Sequence, residues 1–494
     1  MRRVLKSIFI FSGATVVAIA GIVFIRTALV TGAPTIEPRV QISLDTDAAA
    51  AHLAAAVRFK TVSTQDGTTD IAAFRRLNDY LESAYPYVHR RLTRETIGGY
   101  ALLYKWKGSD AGKAPIVLMG HTDVVPVISG SESKWTHPAY SGEIDAGFLY
   151  GRGALDDKSA VIAVLEAVER LLSDGYEPTR TIYLAFGGDE EVGGESGARE
   201  MVKLLKSREA VEPAMVLDEG GAVVEGQLPG MRVPAAMIGI GEKGYVSLEL
   251  SVEGEGGHSS QPPLPTHIGR ISRAVARLEA EQFPARLDGA TMTMLEAITP
   301  VQPYSRRLAL ANIWLFRPAV INSLLGDPQT ASLVRTTTAP TIFNAGAKEN
   351  VLPPEAKAVV NFQILPGETI QSVTTRVKKV ISDDAVTVQT VPGGFCFDPS
   401  PVSDASGPAF AALAKTVLQT LGQTPPLVVP FLTGPTDSRY WSATGAKNVF
   451  RFTPFPYEND WMSRIHGTNE RISVRGFADG VRFYMQLIRN SNEI

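Results

Sequence analysis

Thr181-Ile182-Tyr183-Leu184-Ala185-Phe186-Gly187-Gly188-Asp189-Glu190-Glu191-Val192-Gly193-Gly194 reads as a short, buried-type strand that runs directly into glycines and acids. β-Branched and aromatic residues favour the strand, and the glycines leave backbone room for a tight turn behind it. The same arrangement recurs on both sides. Pro115-Ile116-Val117-Leu118-Met119 leads into Gly120-His121-Thr122-Asp123, and Met215-Val216-Leu217 leads into Asp218-Glu219-Gly220-Gly221. Between them, Gly151-Arg152-Gly153-Ala154-Leu155-Asp156-Asp157-Lys158 precedes a segment, 159–172, whose Val161, Ile162, Val164, Leu165, Val168, Leu171 and Leu172 follow helical spacing. Strand, acidic loop and helix in repetition predict an α/β fold with a doubly wound, mostly parallel sheet and its sites at the carboxyl ends of the strands.

Outward from this centre, 47–59 and 71–83 read as helices, 100–105 as a strand and 138–150 as a hairpin-rich segment. At Gly241-Glu242-Lys243-Gly244 the rhythm changes. Residues 245–252 alternate like an antiparallel strand, 267–278 read as a helix and 283–334 as a long irregular insertion. Strand 338–343, strand 356–365, helix 369–381 and strand 385–391 follow. The β-α-β-β-α-β order predicts a smaller α+β domain inserted into the first, and the chain returns through a helix at 405–421. The expected organisation is a membrane anchor or signal segment at 1–30, a linker at 31–45, a catalytic domain in two parts at 46–241 and 394–494, and a lid or dimerisation domain at 242–393.

The chain has 494 residues, 44% of them hydrophobic, and a formal net charge of -3. That suits a globular protein of two or three domains and excludes nucleic-acid binding by phosphate neutralisation. Residues 8–25 carry no charged side chain and follow Arg2, Arg3 and Lys6. Such a run approaches the roughly twenty apolar residues that cross a bilayer, and the preceding positive charge favours a cytoplasmic amino terminus. This predicts a single-pass anchor with the catalytic domain on the non-cytoplasmic side. The alternative is a cleaved signal peptide and a secreted protein, although Thr31-Gly32-Ala33-Pro34 makes a poor cleavage site. The one cysteine, Cys396, excludes an intrachain disulfide and thiolate-rich metal sites.

The strand-end residues His121, Asp156, Glu191, Asp218 and His466, with Asp123 and Glu190 beside them, form a candidate metal set. Two His and three carboxylates suffice for two divalent ions if one carboxylate bridges. The bland reading of each acid is a solvated loop or a helix cap, and it suits Asp157 and Glu195. It suits Glu190-Glu191 less well, because adjacent buried carboxylates repel and a cation offsets the cost.

His121-Thr122-Asp123-Val124-Val125-Pro126, Gly151 to Lys158, Asp189 to Gly194 and Arg464-Ile465-His466-Gly467 together resemble the co-catalytic zinc metallopeptidase family of carboxypeptidase S, aminoacylase and carboxypeptidase G. The nearest branch is that of carboxypeptidase S and N-fatty-acyl amino acid hydrolases, because of the 283–334 insertion and the Asn469-Glu470-Arg471-Ile472-Ser473 ending. The resemblance implies two zinc ions, with Asp156 bridging, His121 and Asp218 completing one and Glu191 and His466 the other. It implies Glu190 as general base and Asp123 as the carboxylate that orients His121. It also implies His258, in Gly256-Gly257-His258-Ser259, as a substrate contact offered to a partner subunit, and hence a homodimer. Asn350 matches the family's substrate-binding segment, whereas Gln363 stands where an Arg is usual. That Arg holds the substrate carboxylate in relatives, so Arg464 or Arg439 is the expected replacement here, or less acidic substrates are accepted. The implied activity is hydrolysis of a peptide or N-acyl amino acid at the amide bond beside a carboxy-terminal amino acid. Leu308, Leu310, Ile313, Trp314, Leu315 and Phe316 line a fatty-acyl groove or pack as core. An exported binding or scaffold protein of the same fold is the runner-up, against which Glu190 beside a full ligand set argues.

Overall fold

The computed structural model describes residues 2–30, 37–64, 68–226, 231, 233–422, 424–458 and 460–494, with side chains from residue 13 onward. The Thr31-Gly32-Ala33-Pro34 segment and part of the expected linker lie outside the described residues.

Eight strands form the main path of a large sheet in the order Thr93–Ile97, Ala101–Trp106, Ile182–Gly187, Ile116–His121, Met215–Asp218, Val449–Arg451, Ala235–Glu242 and Leu427–Thr433. The core of the sheet is parallel: Ile116–His121 pairs in parallel with both neighbours, and Val449–Arg451 pairs in parallel with Met215–Asp218. Antiparallel pairing is confined to the Thr93–Ile97 side and to the contacts of Ala235–Glu242 with Val449–Arg451 and Val223–Val224. Period-2 geometry divides each central strand between two cores. Ile116, Leu118, Ile182, Leu184 and Phe186 face the helices Lys158–Ser173 and Val474–Asn490, whereas Val117, Met119, Tyr183 and Ala185 face the helix Ala198–Glu209. Both faces are therefore covered, and the chemistry is left to the strand ends.

The smaller domain is an antiparallel sheet in the order Thr337–Ala345, Glu355–Ile364, Gly244–Glu253 and Thr387–Thr390, covered by the helices His267–Ala280 and Ile370–Ile381. The insertion differs from expectation: it is helical, as Gly289–Ile298, Tyr304–Ala311, Ile313–Leu325 and Pro328–Val334. Breaks at Pro303, Asn312 and Gly326-Asp327 keep each helix short. Ile313-Trp314-Leu315-Phe316 is apolar on every side, so no one-faced 3.6-residue pattern marks it in the sequence.

The amino-terminal helix spans Arg2–Leu29. Among the described residues no single helix is long and apolar enough to cross a membrane; Gly13–Leu29 is a shorter apolar helix, and the pair Tyr304–Ala311 and Ile313–Leu325 passes by length and composition together.

The loop after Met215–Asp218 lies hard against the sheet through Gly220-Gly221. A Cβ on Gly221 would stand 2.0 Å from the Met237 carbonyl oxygen and 2.8 Å from that of Arg451, whereas one on Gly434 would meet nothing within 4 Å. Gly221→Ala is expected to lower stability by about 1–3 kcal/mol through overpacking, and Gly434→Ala to leave it unchanged, as read from chemical-denaturation midpoints.

Candidate metal centre

Two loops at the ends of parallel strands, one loop before a helix and one near the carboxyl terminus converge on a single carboxylate. Asp156 precedes the helix Lys158–Ser173, joined to it through a cis Asp156–Asp157 peptide bond. Its Oδ1 lies 3.0 Å from His121 Nε2 and its Oδ2 3.1 Å from His466 Nε2. His121 ends the strand Ile116–His121, and its Nε2 is also 3.3 Å from Glu219 Oε1. His466 Nε2 is 3.1 Å from Glu191 Oε2, while Glu191 Oε1 is buried without a hydrogen-bond partner. Glu190 shares a ligand-sized cluster with His121 and Glu219. The site thus has two lobes, His121 with Glu219 and His466 with Glu191, and the two oxygens of Asp156 stand one in each.

Asp218, expected beside His121, does not reach it. Its Oδ2 accepts hydrogen bonds from Thr436 Oγ1 (2.9 Å) and the Ser438 amide (2.7 Å). Asp218 is the last residue of its strand and Glu219 the first beyond it, so the two side chains leave on opposite sides. The acid facing His121 is Glu219, one residue later than the expected ligand.

Asp123 is fully buried and touches three parts of the site. Its Oδ1 is 3.2 Å from His121 Nδ1 and accepts from the Glu190 amide, and its Oδ2 accepts from the Glu191 amide and Ser63 Oγ. It therefore orients the imidazole, as expected, and also holds the turn that carries Glu190 and Glu191. Asp157 is neither solvated nor a side-chain cap: it is buried, with Oδ2 against the His121 amide.

The acidic density shows in the titration of these groups. Burial, then Asp156, raises the Glu219 carboxyl to about 8 against the opposing pull of His121. Burial and Glu219 raise Glu190 well above the ordinary range. Asp156 goes the other way: burial opposes its ionisation, but hydrogen bonds from His121 and His466 hold it well below that range. The hydrogen bonds to Asp156 and Glu191 lift His466 to about 10. Neutral imidazoles and ionised carboxylates are what a divalent cation needs, and a cation would offset this repulsion.

Glu470 was read in sequence only as part of a terminal pattern, yet it braces the centre. Fully buried, its Oε1 accepts from the amides of Gly153 (2.9 Å), Leu155 (2.8 Å) and Asp156 (3.2 Å), and its Oε2 pairs with Arg152 at 2.6 Å. Arg152 donates onward to the Gly467 carbonyl. The only available sequence signal was Glu470 four residues after His466 and Arg152 four before Asp156.

The remaining candidates lie on other contacts. His258 is exposed on the smaller domain, with its Nδ1 2.8 Å from Ser260 Oγ. Asn350 is exposed, and its carbonyl accepts from the Ser259 amide. Gln363 sits half-buried between Tyr245 and Thr337 on the neighbouring strands. Arg464 pairs through both terminal nitrogens with Glu458 and Asp460. Arg439 donates to the carbonyls of Thr436 and Gly193 and lies against Phe395, Phe397 and Tyr440. Neither arginine presents a free fork to a substrate carboxylate, contrary to expectation.

The sequence profile of Peptidase family M20/M25/M40 matches residues 117–490. A Dictyostelium discoideum protein named probable carboxypeptidase S-like 2 is 39% identical over 90% of this chain and 85% of its own length. The N-fatty-acyl-amino acid synthase/hydrolase of Xenopus tropicalis is 39% identical over 89% of this chain and 85% of its own length. An M20 family metallo-carboxypeptidase from Sulfolobus solfataricus has a similar fold, with a TM-score of 0.67 at 19% identity over 89% of this chain and 98% of that one. The profile match and the coverage of these relatives agree with the clustered His and carboxylate residues: this chain is a hydrolase of the M20 metallopeptidase family.

Proposed function

We propose that the protein is a two-zinc amidohydrolase that cleaves a peptide or N-acyl amino acid at the amide bond beside a carboxy-terminal amino acid. The observation that carries this reading is Asp156, whose two oxygens are divided between His121 and His466 at 3.0 and 3.1 Å. One ion is held by His121, Glu219 and Asp156, the other by His466, Glu191 and Asp156. The donor set fits: it is all imidazole and carboxylate, gathers at the end of a sheet, and includes a buried Glu191 oxygen that no protein group satisfies. Such ions, when bound, polarise a carbonyl and acidify water.

The chain's own residues supply the rest. Glu190 takes the proton of the attacking water on its carboxylate and returns it to the departing nitrogen, a role its place beside His121 and Glu219 supports. Asp123 positions that base through the Glu190 and Glu191 amides. His258 of the smaller domain contacts the reacting oxygen in a second copy, which makes the working form a homodimer. The smaller domain, at 242–393, acts as lid and dimerisation surface, and the catalytic domain comprises 46–241 and 394–494. The amino-terminal helix is an uncleaved anchor that holds the enzyme on the non-cytoplasmic side, supported by the uncharged run 8–25 and by the exposure of Val16, Val17, Phe24, Ile25 and Leu29. Between the substrates named for the relatives, N-acyl amino acids are favoured by the apolar helical insertion.

Four measurements test this. Glu219→Gln is expected to lower bound zinc from two to about one per chain, whereas Asp218→Asn keeps both and loses about 1–3 kcal/mol of stability; the reverse pattern would overturn the ligand assignment. Chelation should abolish release of amino acid from N-acyl amino acids and zinc should restore it. Glu190→Gln, with its metal retained, is expected to lose roughly 10²–10⁴-fold in kcat. Gln363→Arg should lower KM for a free-carboxylate substrate and leave that for the corresponding carboxamide unchanged.

A further inference from the structure

The insertion and the amino-terminal helix meet at one buried side chain. Asn312 is fully buried at the break between Tyr304–Ala311 and Ile313–Leu325, where the chain bends by 119°. Its Nδ2 donates to the Val23 carbonyl (3.2 Å), to Thr27 Oγ1 (3.1 Å) and to the Leu308 carbonyl (2.9 Å). Beside it, Arg26 Nε donates to the Ala311 carbonyl at 3.3 Å. The bent helix pair is thus fastened to the last turns of the amino-terminal helix by the buried hydrogen bonds of Asn312 and the exposed one of Arg26.

Beyond this junction the first turns of Ile313–Leu325 expose apolar side chains, with Arg317 exposed among them and Arg306 exposed on Tyr304–Ala311. Trp314 is 52% exposed and Leu315 42%, with Pro318 and Ala319 exposed one turn on. The amino-terminal helix also exposes Ile22, Phe24, Ile25 and Leu29. An exposed apolar surface of this extent marks an interaction site. The sequence says at what depth it lies. The uncharged run 8–25, about 27 Å long at the helical rise, matches the roughly 30 Å hydrocarbon layer, and Arg26 ends it. Val23 and Thr27 flank that end, so Asn312 and the following Trp314 stand where hydrocarbon gives way to headgroups, the level tryptophan prefers.

We propose that Tyr304–Ala311 and Ile313–Leu325 seat in the outer leaflet of the bilayer beside the amino-terminal helix, so that the enzyme draws its acyl substrate sideways out of the membrane. This rests on the reading of the amino-terminal helix as an anchor. The inner side of the insertion fits the role. Leu310 and Phe316 pack in an apolar cluster that includes Phe431 and Tyr457, and Tyr457 lies against Trp461 at 4.9 Å, five residues before His466. An acyl chain leaving the leaflet therefore meets apolar side chains up to the neighbourhood of the metal centre.

The test uses the full-length protein in phosphatidylcholine vesicles, with and without bromine on the acyl chains. Trp314 fluorescence is the difference between wild type and Trp314→Phe. The expected result is that brominated lipid quenches this difference signal by half or more, and that Ala319→Glu, at an exposed position of the same helix, lowers turnover of a long-chain N-acyl amino acid dissolved in the vesicles several-fold without changing turnover of the same substrate in detergent micelles. Protein that floats with carbonate-washed vesicles while its Trp314 signal is unquenched would overturn the proposal and leave the anchor standing. Protein that does not float would overturn both. Concentration-dependent protection of Trp314 from aqueous iodide without lipid would assign the face to a second copy of the chain and also overturn it.

Discussion

The centre depends on one buried ion pair. Arg152 and Glu470 lie 318 positions apart in the chain, meet at 2.6 Å and are almost wholly removed from water. Burying two charges is costly unless hydrogen bonds offset it, and all polar atoms of this pair but the Arg152 Nε find a partner. Here Glu470 collects three amides from the loop that ends at Asp156, while Arg152 takes the Gly467 carbonyl beside His466. The pair therefore sets the distance between the carboxylate shared by both lobes and the histidine that completes one of them. Pairing of Arg471–Ser473 with Phe148–Tyr150 fixes the same two segments from the sheet side. His466 itself adopts a left-handed backbone, φ 58°, which a β-carbon ordinarily disfavours and which this bracing holds in place.

A second buried network explains why two neighbouring acids have unlike roles. Arg451 pairs with Glu242 at 3.1 Å, Glu242 accepts from the Thr436 amide, and Thr436 Oγ1 donates to Asp218. These links join three strands and the loop before Arg439. Asp218 is thus committed to holding the sheet edge together, and its neighbour beyond the strand end is left to face His121.

Much of this was legible in sequence because it rests on short-range patterns. Buried strands announced themselves as apolar runs, the covering helix 158–173 by its spacing, and His121, Asp123, Asp156, Glu190, Glu191 and His466 by their place at strand ends. The choice between Asp218 and Glu219 was not legible, since it depends on whether the strand's last pleat falls before or after residue 218. Nor was the partnership of Arg152 with Glu470, which only the folded chain brings together. The helix Ile313–Leu325 of the insertion was missed for a different reason: its first turn is apolar on all sides and offers no stripe to detect. The expected roles of Arg464 and Arg439 failed because sequence shows a cation and hides the Glu458, Asp460 and carbonyl groups that occupy it.

The two histidines differ sharply in exposure, and this gives the centre a direction. His121 is 1% exposed at its side chain and His466 51%. The imidazole of the first lobe is enclosed and that of the second reaches outward, while both carboxylates, Glu219 and Glu191, are largely buried. A scissile amide must therefore approach from the His466 side, where Tyr457 and Trp461 present an aromatic wall continuous with the insertion's apolar cluster. The polar end of a substrate and its apolar tail are then sorted by the same opening. On the proposed reading, the aromatic pair would take the hydrocarbon of an acyl group while the amide turns inward toward Glu190, since aromatic faces favour apolar contact and clustered carboxylates disfavour an uncompensated anion.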